Sequence, residues 1–417
     1  MSTEPNMVTT DPRNTKPRFA GPPQEVAPGV LMHASFSNTY AVKTGVGLLL
    51  IDPGLARNSR AVHQAVRAWS DQPLHTAVYT HGHIDHAFGL GAFLEAGERP
   101  HIIAQENCPA RFRRYRLTHG LNLAINRRQF GRADQTFPAE FDWPTLTFAD
   151  RLTQRMGDTE VRFASAKGET DDHCYVWLPA ERLLFTGDLI IWRAPNCGNP
   201  QKVQRYPVEW CEALETMAGL DAEWLLPGHG LVIRGRDAVR MVLTETAQYL
   251  RHIIGQVLPR LNAGETPEAI YHAVESDPVL AARPYLLEFY DHPKFIVRNL
   301  IRQWGGWWNG NAADLMPATF ARQAAEVAAL AGGVGPIIAR GRQLLASGDL
   351  ELAQHHAEWA SRAAPADRDA LAFKRDVYAA RLSATEILMA QGIYRDAANE
   401  ARAALGEPPL QRDGRPL

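Results

Sequence analysis

Between residues 27 and 235 the chain runs in short apolar stretches broken by Gly, Pro and Asp, a spacing that predicts strands alternating with helices. "TYAVKTGVGLLLIDPG" predicts two strands joined at Thr44-Gly45, then a turn at Asp52-Pro53-Gly54. "NSRAVHQAVRAW" carries helical periodicity, and "HTAVYT" and "HIIAQ" are short enough to be buried strands. "EVRFASA", "HCYVWLP" and "RLLFTGD" predict three more strands, "WCEALETMAGL" a helix, and "EWLLPGHG" a strand running into a loop. This alternation predicts an α/β layered domain over residues 27–235.

From residue 236 to about 410 strand patterns disappear, and Ala, Leu, Arg and Glu recur at helical spacing. "SGDLELAQHHAEWA" and "QGIYRDAANEARAA" form a weak repeat. Alanines follow each glycine by five and nine residues: Ala353 and Ala357 after Gly348, Ala397 and Ala401 after Gly392. Small residues at those offsets let helices approach closely, as in tetratricopeptide-like hairpins. The pattern fits a partner or dimer surface and an ordinary helical bundle equally well. Residues 1–26, rich in Pro, Thr and charge, predict a flexible tail.

Composition narrows the class. The 417 residues are 45% hydrophobic, enough for a large core and more than one domain. A net charge of -2 supplies no global field toward nucleic acid or a membrane surface. No apolar run approaches the length of a membrane span, and no apolar leader opens the chain, so a cytoplasmic location is expected. Cys108, Cys174, Cys197 and Cys211 lie at spacings that suggest neither a disulfide framework nor a CxxC site.

The candidate chemistry is concentrated in "YTHGHIDHAFG", residues 79–89, which follows an apolar stretch. With only 15 histidines in the chain, three of them and an aspartate within six positions is not an accident of composition. Imidazole nitrogen and carboxylate oxygen are the donors that borderline cations such as zinc prefer. His81 and His83 are two apart and point the same way in extended chain. Asp85 and His86 come after a turn and can face a second metal. Further ligands must come from later in the chain, where His173, Asp188 and His229 border apolar runs. His33, His63, His75, His101 and His119 lack partners at useful spacing.

Taken in order, Asp52, "HGHIDH", His173, Gly187-Asp188 and "PGHG" resemble the metallo-β-lactamase superfamily. The resemblance implies an αββα sandwich with a metal pair at one sheet edge. It implies that His81, His83 and His173 hold one metal and that Asp85, His86 and His229 hold the other. Asp188 would bridge them, and Asp52 would orient ligands from behind. Two divalent cations sharing a water lower its pKa and yield a nucleophilic hydroxide, with Asp85 and Asp188 as the catalytic carboxylates. The diiron oxygen-reducing members usually carry Glu where His83 stands, and the β-lactamases lack the bridging Asp188.

The later chain carries a second resemblance. "YDHPKFIVRNLIRQWGGWWNGNAADLMPA" is similar to the alkyl sulfatase dimerisation domain, and "LAGGVGPIIARGRQLLASGDLELAQHHAEWASRAAP" continues it. "NLAINRRQFG" resembles an insertion beside the active site of those sulfatases, and "QKVQRYPVEW" a stretch with an arginine five residues before its tryptophan, here Arg205 before Trp210. Two features depart from that family: glutamates usually stand where this chain has His173 and Asp188, and no sterol-carrier-like domain follows within 417 residues.

The combined reading is a dinuclear metal-dependent hydrolase, with zinc preferred over iron or manganese, acting on a small anionic substrate. A sulfate ester comes first. A carboxylic ester, thioester or lactone is the alternative, and a helical interaction protein with a vestigial metal site is a further one. A homodimer without nucleic-acid or membrane partners is expected. Arg205 would face outward as a substrate clamp. Seven arginines (111, 113, 114, 116, 127, 128, 132) fit a solvated surface or a funnel for an anion. Trp143, Phe130 and Trp192 fit either a nearby apolar pocket or plain core.

Overall fold

The computed structural model describes residues 6–132 and 134–410. Among these residues two seven-stranded sheets form. One runs, edge to edge, Val8–Thr9, Val232–Arg234, Trp224–Pro227, Leu183–Gly187, Cys174–Leu178, Thr159–Ser165 and Arg151–Met156. The other runs Gln24–Ala27, Val30–Ala34, Asn38–Thr44, Gly47–Ile51, Leu74–Val78, His101–Gln105 and Leu146–Phe148. The apolar stretches become strands buried along much of their length. Leu183–Gly187 and Gly47–Ile51 have every residue buried, which is why they read as continuous apolar runs.

One core joins the sheets. Val42, Ile51 and Val78 of one cluster with Val176, Phe185 and Leu226 of the other, and Tyr40 meets Phe185 edge-on at 5.4 Å. Helices flank the sheets. Ser59–Trp69 turns Val62 and Val66 inward, and Pro207–Ala218 buries Trp210, Leu214 and Met217. Pro207 occupies the first turn, where its missing N–H costs nothing. The expected αββα sandwich is the observed architecture.

The chain divides into two compact units: Met1–His119 with Pro138–Trp307, and Gly120–Phe137 with Trp308–Leu417. The change of pattern expected at residue 236 is real, but it does not mark the compact unit's edge. Arg236–Asn262 and Pro293–Gly305 bury Leu243, Leu250, Ile253, Val297 and Leu300 into the core of the sandwich. Helicity alone could not reveal that these helices serve the first unit. The segment 120–137, expected within the catalytic domain, groups with the second.

The flexible tail expected over residues 1–26 is also corrected for its described part. Met7 is 0% exposed in the main core, and Val8–Thr9 pairs in parallel with Val232–Arg234. Arg13 pairs with Glu245, and Gln24–Ala27 is an edge strand. Polar composition concealed one buried methionine and a short pairing segment. Residues 1–5 lie outside the described residues.

The second unit is helical: Phe320–Leu330, Val334–Ser347, Leu350–Ala363, Arg368–Ser383 and Leu388–Leu405. Ala353, Ala357 and Ala360 are fully buried against Ile337, Phe373 and Val377, so the first repeat packs as expected. In the second, Ala398 and Ala401 are buried and Ala397 only partly, a shift of one position. Among the described residues no helix is long and apolar enough to cross a membrane.

Candidate metal centre

Several strands deliver their ends to one place. Asp52 follows Gly47–Ile51, His81 lies three residues past Leu74–Val78, Asp188 follows Leu183–Gly187, and His229 lies two past Trp224–Pro227. In an open α/β sheet the carboxyl ends of the strands are where fixed backbone stops and loops can converge. Hydrogen bonds then aim the side chains. Asp52 accepts from Thr80 N–H (Oδ1, 2.8 Å), Thr80 Oγ1–H (Oδ2, 2.8 Å) and His86 Nδ1–H (Oδ2, 2.8 Å). Thr80 Oγ1, spending its proton on Asp52, is left to accept from His81 Nδ1–H at 3.1 Å. The Phe36 carbonyl accepts from His229 Nδ1–H at 2.7 Å. These partners fix three imidazoles as Nδ1–H tautomers and leave the Nε2 lone pairs of His81, His86 and His229 facing inward.

Two donor clusters result: His81, His83, Glu169 and Asp188, and Asp85, His86 and His229. His81 Nε2 and His83 Nδ1 are 2.9 Å apart. Asp85 Oδ2 is 3.4 Å from His86 Nε2 and 3.5 Å from His229 Nε2. Asp188 turns Oδ1 toward His86 and His229, 3.2 Å from each Nε2, and Oδ2 toward His81 Nε2 at 3.7 Å. Donors on one tetrahedral zinc ion lie about 3.3 Å apart, given zinc–nitrogen distances near 2.0–2.1 Å. The spacings suit that requirement. Among the described residues the buried His86 Nε2 and Asp188 Oδ1 complete no hydrogen bond, and such orphaned atoms are costly unless something else satisfies them. The residues therefore fit a pair of divalent cations.

The electrostatics agree. Burial, then His86 and His83, push the His81 imidazole well below its usual range, so it stays a neutral donor. Burial opposes charge on His86 as well, but Asp188, Asp85 and Asp52 outweigh it and hold His86 well above the usual range. His229, buried but beside Asp188 and Asp85, is pushed up to about 10. Burial works against the Asp188 carboxylate, yet His86 and His229 hold it well below the carboxylate range. Without cations, protons on two imidazoles compensate the carboxylates.

Six of the seven expected ligands fall in the two clusters. His173 does not: its Nε2 accepts from Asp188 N–H at 3.1 Å, and its Nδ1 is buried without a partner among the described residues. Its ring stacks on His81 at 4.8 Å, and burial lowers its pKa to about 4. Glu169, four residues earlier in "GETDDH", takes the fourth place in the first cluster, 3.9 Å from His83. Burial raises it to about 7 against the pull of Arg205. Glu169 shares the polar connection 166–173 with Asp171, Asp172 and His173, so the sequence offers no signal that singles it out.

Arg205 departs from expectation. It is 2% exposed rather than outward-facing, because it pairs with Glu169 and donates to the Asn196 carbonyl at 2.7 Å. Its Nε–H remains a buried donor without a partner among the described residues. Three of the seven arginines are likewise taken up in ion pairs. Arg111 is buried on Asp171 and Asp172, while in the second unit Arg128 pairs with Asp396 and Arg132 with Asp134. Arg111 instead supports the metal loop: Asp172, which it anchors at 2.7 Å, accepts from Gly82 N–H at 2.8 Å. A Cβ at position 82 would lie 2.8 Å from Arg111 Cδ and 2.9 Å from Asp172 Oδ2, so only glycine fits between the two histidines. Of the expected pocket aromatics, Trp192 is core, Phe130 belongs to the second unit, and Trp143, 37% exposed, meets Phe112 and Phe141 edge-on.

Comparison with known proteins gives the class. Residues 34–229 match the metallo-beta-lactamase superfamily, and residues 266–404 match the alkyl sulfatase dimerisation family. The chain thus carries a metallo-beta-lactamase domain followed by an alkyl sulfatase dimerisation domain. Its homologues include the linear primary-alkylsulfatase of a Pseudomonas species, 30% identical over 334 residues, 73% of this chain and 62% of that one. The (R)-specific secondary-alkylsulfatase of a Pseudomonas species is 22% identical over 397 residues, 88% of this chain and 60% of that one. The chain spans about three fifths of the length of these relatives. The solved stereoselective inverting sec-alkylsulfatase from Pseudomonas shares the fold, with TM-score 0.81 at 21% identity, covering 90% of this chain and 65% of that one.

Proposed function

We propose that the protein is a dinuclear metal-dependent hydrolase that cleaves a sulfate ester. The observation that carries this reading is Asp188, whose two oxygens face different histidine clusters. A carboxylate so shared is what a bridging ligand requires, and a structural zinc site is instead closed, four-coordinate and usually cysteine-rich. We assign His81, His83, Glu169 and Asp188 to one cation and Asp85, His86, His229 and Asp188 to the other. His173 stacks behind His81 and holds the Asp188 backbone. When bound, two divalent cations, zinc in our reading, would acidify a water and polarise the ester oxygen.

The chain's own residues do the rest. Asp52, Thr80 and Phe36 fix imidazole orientation, so the donors are preorganised. Asp85 holds a proton of the attacking water. Arg205, buried beside Glu169, keeps that carboxylate in place. The alkylsulfatase relatives support the sulfate-ester reading. The dimerisation family over residues 266–404 supports a homodimer. Four free, buried cysteines suit a reducing compartment such as the cytoplasm. The test is a hydrolysis screen of metal-reconstituted protein on alkyl sulfates, carboxylic esters, thioesters and lactones. The reading expects alkyl sulfates to be turned over best. Preferential turnover of a thioester or lactone would replace it.

A further inference from the structure

The second cluster draws His229 and Asp85 from different sheets. His229 follows the strand Trp224–Pro227 of one, and Asp85 comes shortly after Leu74–Val78 of the other. Their spacing, 3.5 Å from Asp85 Oδ2 to His229 Nε2, therefore depends on what ties the sheets together at this edge. Residues 36–38, where the strand Val30–Ala34 turns back into Asn38–Thr44, supply that tie. The Phe36 carbonyl accepts from His229 Nδ1–H at 2.7 Å, and Ser37 Oγ–H donates to the Asp85 carbonyl. Asn38 N–H donates to the Gly228 carbonyl at 2.8 Å. Asn38 Nδ2 donates to the carbonyls of Pro227 at 3.0 Å and Gly230 at 2.9 Å. Asn38 thus holds the backbone on both sides of His229.

Buried carbonyls need donors, and those of a tight loop have no strand partner to supply them. One amide NH2 can serve two carbonyls, whereas a serine hydroxyl can serve one and an ionised carboxylate none. Asn38 is almost fully buried, and its Oδ1 completes no hydrogen bond among the described residues. Such an orphaned acceptor is costly, so the donors are what this side chain contributes. The rest of the loop is closely packed. A Cβ on Gly228 would lie 2.3 Å from Asp188 Oδ1, and one on Gly230 would lie 2.5 Å from Trp192 Cδ1. Packing stops the loop from closing on Asp188 or Trp192, and the Asn38 bonds keep it from drifting away from them.

We propose that Asn38 is a positioning residue for the second cation: its amide fixes the 227–230 loop so that His229 Nε2 stays at ligand distance from Asp85 and Asp188. The role rests on the two-cation reading above. Asn38→Asp keeps the side chain's shape and turns both donors into an acceptor facing carbonyl oxygens. Chelator competition on the full-length protein should show one site weakened roughly 10–100-fold, the usual loss when a ligand's outer partner is removed, with the other near wild type. The weakened site should be the one that His229→Ala abolishes. Tyr40→Phe is the control: Tyr40 Oη–H donates at 2.8 Å to the Pro227 carbonyl, which Asn38 also serves, so both sites should stay near wild type. Unchanged affinities in Asn38→Asp, equal loss at both sites, or the same loss in Tyr40→Phe would overturn the proposal. Should Asn38→Asp fail to fold, Asn38→Ala removes the donors without adding charge and is held to the same outcomes. If wild type holds fewer than two ions, the two-cation reading falls, and hydrogen–deuterium exchange of the metal-free protein decides the role of Asn38. Faster exchange over residues 228–231 in the variant would uphold its grip on the His229 loop, and unchanged exchange would overturn it.

Discussion

Asp52→Asn is nearly isosteric and leaves the metal clusters' own residues untouched, but it removes the charge that sets the His86 tautomer. Asp52 accepts three hydrogen bonds while almost fully buried. An asparagine has one acceptor oxygen to offer. If that oxygen takes the place of Oδ2, facing Thr80 Oγ1 and His86, the amide NH2 meets Thr80 N–H, donor against donor. If the amide is flipped, the NH2 faces His86 Nδ1, which must give up its hydrogen, and the proton moves to Nε2. Either arrangement leaves a mismatch worth about 1–3 kcal/mol. The flipped form also blocks the nitrogen that faces Asp188 at 3.2 Å. Loss of such an outer partner typically costs 10–100-fold in metal affinity. Chelator competition on Asp52→Asn should therefore show one of the two sites weakened by roughly that factor, with the other closer to wild type. Two unaltered affinities would refute the tautomer argument. Equal loss at both sites would mean that Asp52 acts as much through Thr80 on His81 as through His86.

Removing Arg205 leaves Glu169 buried without its counter-ion, so Arg205→Ala should lose about 3–5 kcal/mol of stability by denaturant unfolding; wild-type stability would show that the pair is not an effective one. A Cβ at position 228 would lie 2.3 Å from Asp188 Oδ1 and must displace that carboxylate. Gly228→Ala should thus weaken metal binding on the order of tenfold or more, measured by the same chelator competition, and unchanged affinity would contradict the placement of Asp188.

Much of this site was legible in the sequence because ligand chemistry is carried by local spacing. His81, His83, Asp85 and His86 sit within six residues, and a loop anchored through Gly82 keeps them together. Asp188 and His229 were legible because each follows an apolar strand. What was hidden depends on contacts distant in sequence. Glu169 joins the first cluster through the hairpin connection it shares with His173, and nothing in "GETDDH" tells which of the two faces His83. Arg205 looked like an outward clamp because its neighbours are polar, but a residue 36 positions away in sequence draws it inside. The N-terminal segment and the helices after residue 236 misled for one reason: composition reports local preference, while Met7, Leu243 and Val297 are fixed by a core assembled from the whole first unit.

The central claim is a pair of cations that share Asp188. Elemental analysis of the purified, metal-reconstituted protein, on wild type and Asp188→Ala side by side, tests it most directly. Two metal ions per chain in wild type, with loss at both sites in Asp188→Ala, is the predicted result. One ion or none in wild type, or an Asp188→Ala variant that still holds two, would contradict it.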